Sequence, residues 1–258
     1  MSLVTWNVNS LKARLPRVLE LLDEHGPDVV LLQETKCAAD VFPHEQLDAA
    51  GYHAVEHGAG PWAGVAIAAR HELALGEPVR GLAGEPDSAE ARWLEVEVAG
   101  VRAISVYVPN GRAPDSPSFA SKLAFLEAAG DRVAELVFDT AAAALVVAGD
   151  FNVAPTDRDV YDPEAFIGST HVTDPERARL STLLEAGLVD AYRTLHPKEP
   201  GFTWWDYRQG HFHRGMGMRI DLVLLDRASA RDLVSCGIDR NYRKGPKPSD
   251  HAPLFATL

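Results

Sequence analysis

The chain has 258 residues, 46% of them hydrophobic and 24% charged, proportions that exclude a disordered or low-complexity protein. Its 37 acids against 25 Lys and Arg leave a formal charge of −12. That excludes a surface basic throughout, of the kind that coats phosphate backbones, but not one cleft whose carboxylates gather a divalent cation.

LVTWNV (3–8) reads as a strand that starts at once, with no signal-peptide pattern before it. Ser10 is placed to cap a helix through LKARLPRVLELLDEHG. There Leu11, Leu15, Val18, Leu19 and Leu22 recur at helical spacing and Gly26 is the stop. DVVLLQE (28–34) is apolar almost throughout and predicts a strand buried on both faces. YHAVEH, GVAIAA, RWLEVEVA and VRAISVYV follow as short strands, and AGV (99–101) predicts a hairpin between the last two. A helix is predicted over 116–140, with Leu123, Leu126, Val133 and Leu136 along one side. The longest apolar run, AAAALVVA (141–148), falls far short of the ~20 residues of a membrane span and leads into a buried strand that breaks at Gly149. Residues 174–187 predict a helix, and FTWWDY, MRIDLVLLD, DLVSCGI and PLFATL predict further strands.

Strands outnumber helices, and hairpins mix with crossovers. This predicts an α/β fold of two mixed β-sheets packed face to face with helices outside, as a single domain over 1–258. Each half carries a strand that ends in asparagine-bearing residues (TWNVN, GDFN), a hint of duplication. No Gly-rich phosphate loop is present. Cys37 and Cys236 stand in no metal-ligand or CxxC spacing and are expected as free thiols, in keeping with a cytoplasmic protein.

Polar clusters stand at the ends of apolar strands: Asn7–Asn9, Gln33–Lys36, Tyr107–Asn110, Gly149–Asn152 and Ser249–His251, while Arg219–Asp221 opens another. A group at such a position is held rigidly at the edge of a sheet. The inventory Asn7, Glu34, Tyr107, Asp150, Asn152, Asp221, Asp250 and His251 is rich in oxygen, with one imidazole and no thiol. Hard oxygen donors in small number suit Mg²⁺ or Mn²⁺, so the set predicts a metal-assisted phosphoester hydrolase. His211 and His213 form an HxH in a loop and are expected at the surface, with no third ligand in view.

Taken in order, TWNVNSLKARL, LQETK, YVPNG, GDFN, RIDLVL and SDHAP resemble the exonuclease III family of abasic-site endonucleases. That family lies within the endonuclease/exonuclease/phosphatase fold group. The resemblance covers essentially the whole chain, and LQETK, TWWDYR (203–208) and GMRIDLVL (217–224) are its more specific marks. It implies a four-layer α-β-β-α sandwich with the site at one end of both sheets. It implies Glu34 as principal Mg²⁺ ligand, with Asn7 and Asp250 nearby and Asp150 and Asn152 completing the shell. Asp150 orients or deprotonates the attacking water, or protonates the leaving oxygen; Asn152 steadies it. Tyr107 contacts the phosphate, and His251, held by Asp221, donates to a phosphate oxygen.

The implied reaction is hydrolysis of the phosphodiester 5′ to an abasic sugar in duplex DNA, with action on 3′ ends, by a monomer that needs no membrane. Trp204, Met218 and Ile220 match an apolar pocket for the base-less sugar, with Met218 and Ile220 expected on one strand face and Arg219 and Asp221 on the other. Asn110, Arg112 and Arg208 match backbone contacts. The loop 111–122 departs from the family by being shorter, with Ser118 where a lysine is usual. Asp250 and His251 are adjacent in sequence, so their side chains should diverge and Asp221 should be the partner of His251. Two rivals are another phosphoesterase on the same fold and a non-catalytic nucleic-acid-binding regulator.

Overall fold

At the centre of each sheet two strands run parallel, and a helix crosses over between them. The structure, a computed structural model, describes residues 1–138 and 144–258. In chain order the first part runs β1 (Ser2–Asn7), α1 (Leu11–His25), β2 (Val29–Gln33), α2 (His44–Ala49), β3 (Tyr52–His57) and β4 (Val65–Arg70). Next come β5 (Val79–Arg80), β6 (Trp93–Val98), β7 (Val101–Tyr107), α3 (Pro117–Phe138) and β8 (Ala144–Asp150). They are followed by α4 (Asp174–Glu185), β9 (Leu188–Asp190), α5 (Ala191–Leu195), α6 (His211–Arg214) and β10 (Asp221–Asp226). The last strands, β11 (Ser235–Ile238) and β12 (Leu254–Thr257), return to the first sheet.

Among the described residues the sheets are ordered β11-β12-β1-β2-β4-β3 and β5-β6-β7-β8-β10-β9. In each the third and fourth strands pair parallel and all other neighbours antiparallel. The two sheets therefore share one topology, which gives the hint of duplication a structural form.

The near-continuous apolar run of β2 has a simple cause. Val29 and Leu31 enter the core between the sheets with Ile67, Val96, Val146 and Val223. Val30 and Leu32 face the other way, onto Leu21 of α1 and Leu47 of α2. Phe125 and Leu126 of α3 and Leu183 of α4 cover the second sheet in the same manner. The result is a four-layer α-β-β-α sandwich, as expected, in which each such buried side chain contributes ~1.5–3 kcal/mol. The hairpin at 99–101 also forms. Ala99 and Gly100 both have positive φ (50° and 80°), the primed turn that matches strand twist. Gly149 is required where β8 lies against β7, because a Cβ there would meet Val106 O at 2.0 Å.

Several local expectations are corrected. Ser10 does not cap α1: its φ is 93°, and its side chain makes no cap bond. The Ser10 and Leu11 N–H groups are held instead by the carbonyls of Glu34 and Thr35. FTWWDY is not a strand; Trp204 makes only isolated bridges, to Met218 and His251. β10 starts at Asp221 rather than Met218, because Met218 and Arg219 donate to Trp204 and Asp159 carbonyls instead of extending the ladder. Arg219 then points to Asp159 and Asp190 and Asp221 to His251, so the two do not act on a common partner. β11 starts at Ser235, and α4 ends at Glu185. The predicted end of α3 at Thr140 lies outside the described residues. Both cysteines are free and buried, and no helix among the described residues is long and apolar enough to cross a membrane.

Candidate active site

Both parallel pairs end at one rim. Asn7 stands opposite Gln33 where β1 and β2 end, and Tyr107 stands opposite Asp150 where β7 and β8 end. Asp221 opens β10 directly opposite Asp150. Just past β2 the backbone turns left-handed at Glu34 (φ 52°), which brings its carboxylate to the rim. Fully buried Asn7 then ties the halves together: its Nδ2 donates to Glu34 Oε1 at 2.8 Å and to Asp150 Oδ2 at 2.9 Å. Asn7 Oδ1 is taken by the Asn9 N–H, so the amide faces the carboxylates as a donor rather than offering oxygen to an ion.

His251 completes the centre. Its Nδ1 donates to Asp221 Oδ2 at 2.8 Å, and its Nε2 lies 3.7 Å from Asp150 Oδ2. Burial opposes the imidazolium, but the facing Asp221 and Asp150 carboxylates outweigh it and push the His251 pKa up to about 10. Burial, with Asp221 and Glu34 nearby, pushes Asp150 up to about 7, against the pull of His251. Asp250 diverges from its neighbour as expected. It accepts from Asn9 Nδ2 at 3.0 Å and from Trp204 Nε1 at 3.1 Å. The SDHAP segment is fixed from below: Ser249 Oγ donates to Asn7 O, the His251 N–H donates to Ser249 Oγ, and Trp6 Nε1 donates to His251 O.

Among the described residues, one group of acids and histidines has metal-binding geometry. It consists of Glu34, Asp150 and His251, with one donor atom from each within 4.8 Å of the others. Two carboxylate oxygens in a buried setting fit a hard divalent cation. Lys36 Nζ already sits 2.6 Å from Glu34 Oε2 and donates to Asn9 Oδ1 at 2.6 Å. Asp250 therefore stands beside this group rather than in it, linked to Glu34 through Asn9 and Lys36.

Residues 4–251 match the model of the endonuclease/exonuclease/phosphatase family. The chain belongs to that family. It is a nuclease of the exonuclease III kind. It is similar to exodeoxyribonuclease III of Haemophilus influenzae, 32% identical over 99% of each chain. Among solved structures it is similar to a 3′ phosphatase from Neisseria bound to product DNA hairpin (40% identity, TM-score 0.96, 100% of this chain and 99% of that one). It is also similar to an AP endonuclease from Archaeoglobus fulgidus (35%, 0.94, 100% and 99%). Enzymes of this family are metal-dependent nucleases.

The remaining expected residues of this nuclease fall into two groups. Close to the centre, Asn152 (φ 52°) donates from its backbone N–H to Asp150 Oδ1 at 2.9 Å and from Nδ2 to Val108 O. Asn110 Nδ2 reaches Asn152 Oδ1 at 3.3 Å. Half-buried Tyr107 has Arg92 over its ring, and burial beside Glu34 and Asp150 holds its phenol protonated. A cleft of about 550 Å³ opens from Glu34, Tyr107 and Asn110 toward Arg112 and the exposed Trp62.

Further out, Met218 and Ile220 are buried against Ala154 and Val160, with Trp204, Phe166 and Val172 packed around them. They form a closed apolar cluster rather than an open pocket. Arg208 is exposed and paired with Asp206, and Arg112 is exposed. His211 packs edge-on to Tyr161, and His213 is exposed.

Sequence reasoning missed the lysine and acids behind these groups. Arg219 is buried between Asp159 and Asp190, beneath the Met218–Ile220 cluster. Lys122 and Glu176 lie buried beneath Asn152, and His171 Nδ1 is 2.5 Å from Asn152 O. The one available signal was Thr173-x-x-Glu176, a capping box, which marks a helix start but not a role at the site.

Proposed function

We propose that the chain is a DNA repair hydrolase dependent on Mg²⁺ or Mn²⁺. In this reading it cleaves duplex DNA 5′ to abasic sites and clears blocked 3′ ends, with 3′→5′ exonuclease activity from the same centre. The observation that carries the reading is the buried line Asp221–His251–Asp150, which meets Glu34 at the rim shared by both sheets. The names borne by the relatives support it: an exodeoxyribonuclease, a 3′ phosphatase and an AP endonuclease. Action as a monomer in the cytoplasm belongs to the same reading.

Asp150 takes a proton from the attacking water as that oxygen bonds to phosphorus and the bond to the departing oxygen breaks. His251, kept cationic by Asp221, donates from Nε2 to a non-bridging phosphate oxygen, where charge builds in the transition state. Asn152 holds Asp150 by two donors, and Tyr107 offers its hydroxyl to the phosphate. Glu34 and Asp150 hold the divalent ion, Asn7 and Asn152 orient them, and Asp250 acts from behind through Asn9. When bound, the ion neutralises charge on the phosphate. Asn110, Arg112 and Arg208 serve the DNA backbone, and Trp204, Met218 and Ile220 the base-less sugar.

A second reading ranks these substrates. Met218 and Ile220 are each only 2% exposed, so an abasic sugar must open their cluster, whereas a terminal 3′ phosphate need only reach the open rim. This favours 3′-end cleaning over abasic incision. Both readings are tested on four matched duplexes carrying an abasic analogue, a 3′ phosphate, a recessed 3′ end or no lesion. Cleavage is expected to vanish in EDTA, to return with Mg²⁺, and to be fastest at the 3′ phosphate. Metal-independent cleavage, or equal turnover of inositol phosphates, would sink the proposal; faster abasic incision would sink only the ranking.

A further inference from the structure

Lys122 belongs to α3 and is fully buried. A lysine out of water needs an acceptor for each ammonium hydrogen. Here the acceptors come from the loops that follow β7 and β8. Nζ donates to Asn152 O at 2.6 Å, to Thr170 Oγ1 at 3.1 Å and to Asn110 O at 3.2 Å. Its counter-ion is Glu176 Oε1, also fully buried. That oxygen in turn accepts from Thr170 Oγ1 and the His171 N–H, while Glu176 Oε2 caps α4 through Thr173. The lysine stem runs directly under Gly111, where a Cβ would meet Lys122 Cδ at 2.8 Å.

Asn152 depends on such a grip for its orientation. Its φ of 52° lies in the left-handed region, which asparagine tolerates better than other non-glycine residues, so its contacts and not strain decide where its donors point. In that conformation its N–H points to Asp150 Oδ1 and its Nδ2 to Asp150 Oδ2, while its carbonyl points down at Lys122. Loss of the lysine leaves that carbonyl with His171 Nδ1 alone, and the peptide is then held less firmly in the conformation that aims both donors at Asp150. Removal of Glu176 alone leaves the lysine bond to Asn152 in place.

We infer that Lys122 is a positioning residue for the hydrolytic reaction, acting through the Asn152 backbone to aim the donors that hold Asp150. The inference rests on Asp150 and Asn152 serving the centre as proposed above.

The test compares Glu176→Gln with Lys122→Met/Glu176→Gln. A glutamine still suits the capping box; the double variant removes both charges together, and the single variant, whose ammonium keeps its three neutral acceptors, controls for loss of the carboxylate. Both variants are assayed on the 3′-phosphate duplex per folded molecule, with saturating Mg²⁺. The expected result is a kcat for the double variant roughly 10–100-fold below Glu176→Gln, with KM changed by less than about threefold, as misplacement of reacting groups produces. Lys122→Arg, which keeps a donor, is expected to recover part of kcat. A double variant within about threefold of Glu176→Gln in kcat overturns the inference, as does a loss confined to KM or to the folded fraction. Should the double variant not fold, Lys122→Gln/Glu176→Gln takes its place: partial loss of kcat supports the inference and no loss overturns it. If wild-type protein hydrolyses no DNA substrate, the proposed function has failed and not this assignment.

Discussion

The two sheets share a topology but not a vocabulary. At matching positions the first places Asn7, Gln33 and Val65, and the second Tyr107, Asp150 and Asp221. In the first sheet the position facing the centre has gone inward: Gln33 is buried and bonds to Ser105 Oγ, and Val65 belongs to the core between the sheets. Its acid comes one residue later, at Glu34, carried to the rim by a left-handed turn. In the second sheet the acids stand within the ladder itself. The difference teaches that one scaffold supports two tasks. The ladder acids suit a base and its orienting partner, and the acid on a turn, facing Asp150, suits an ion that must enter and leave.

The sharpest way to break that contrast is to neutralise one acid from each sheet. Asp150→Asn is expected to lower kcat at least ~100-fold, with no recovery at high Mg²⁺. Glu34→Gln should raise the Mg²⁺ needed for half-maximal rate, with part of kcat regained at high Mg²⁺. Equal response of both variants in a Mg²⁺ titration would erase the division of labour.

Exchanging the third matching position comes next in size. Val65→Asp buries a carboxylate without an imidazole to meet it and should cost upwards of ~3 kcal/mol in urea unfolding. Asp221→Val should fold and lose activity.

A smaller effect concerns pH. The folded pKa of His251, about 10, exceeds its ordinary 6.5. The stability it contributes is therefore fully present below pH 6.5 and lost as pH rises through about 10. Asp221→Asn removes the facing anion and should flatten this fall in metal-free unfolding, while the alkaline limb of activity moves to lower pH. An unchanged limb would remove Asp221 from the account.

The smallest effect belongs to the hairpin peculiar to the second sheet. Ala99→Gly relieves a left-handed alanine and should add ~1 kcal/mol by thermal unfolding without altering kcat.

Glu34, Asp150, Asp221 and His251 were legible because each stands where an apolar run meets a polar break, and that alternation is local. So was the sandwich, since β2 shows burial on both faces in its own residues. What stayed hidden depends on distant partners. Lys122 on a helix reads as a solvated charge until Glu176, 54 positions on, closes over it. Asn7 reads as a ligand, and its role in joining Glu34 to Asp150 through Nδ2 is not visible in the sequence. FTWWDY has the aromatic content of a strand, but its neighbours offer single bridges and no ladder. Ser10 has a capping side chain on a backbone whose φ of 93° forbids the cap.

The pairing of β1 with β12 has a consequence for synthesis. Ser2 stands opposite Thr257, and Trp6 Nε1 holds a carbonyl 245 positions away, that of His251. Synthesis runs from the N-terminus, so β1 to β4 emerge while β12 is still unmade. A nascent chain that has reached β10 carries Glu34, Asp150 and Asp221 but not yet His251. The nuclease is therefore disarmed while it is being made, and the same long closure that arms it makes it slow to fold.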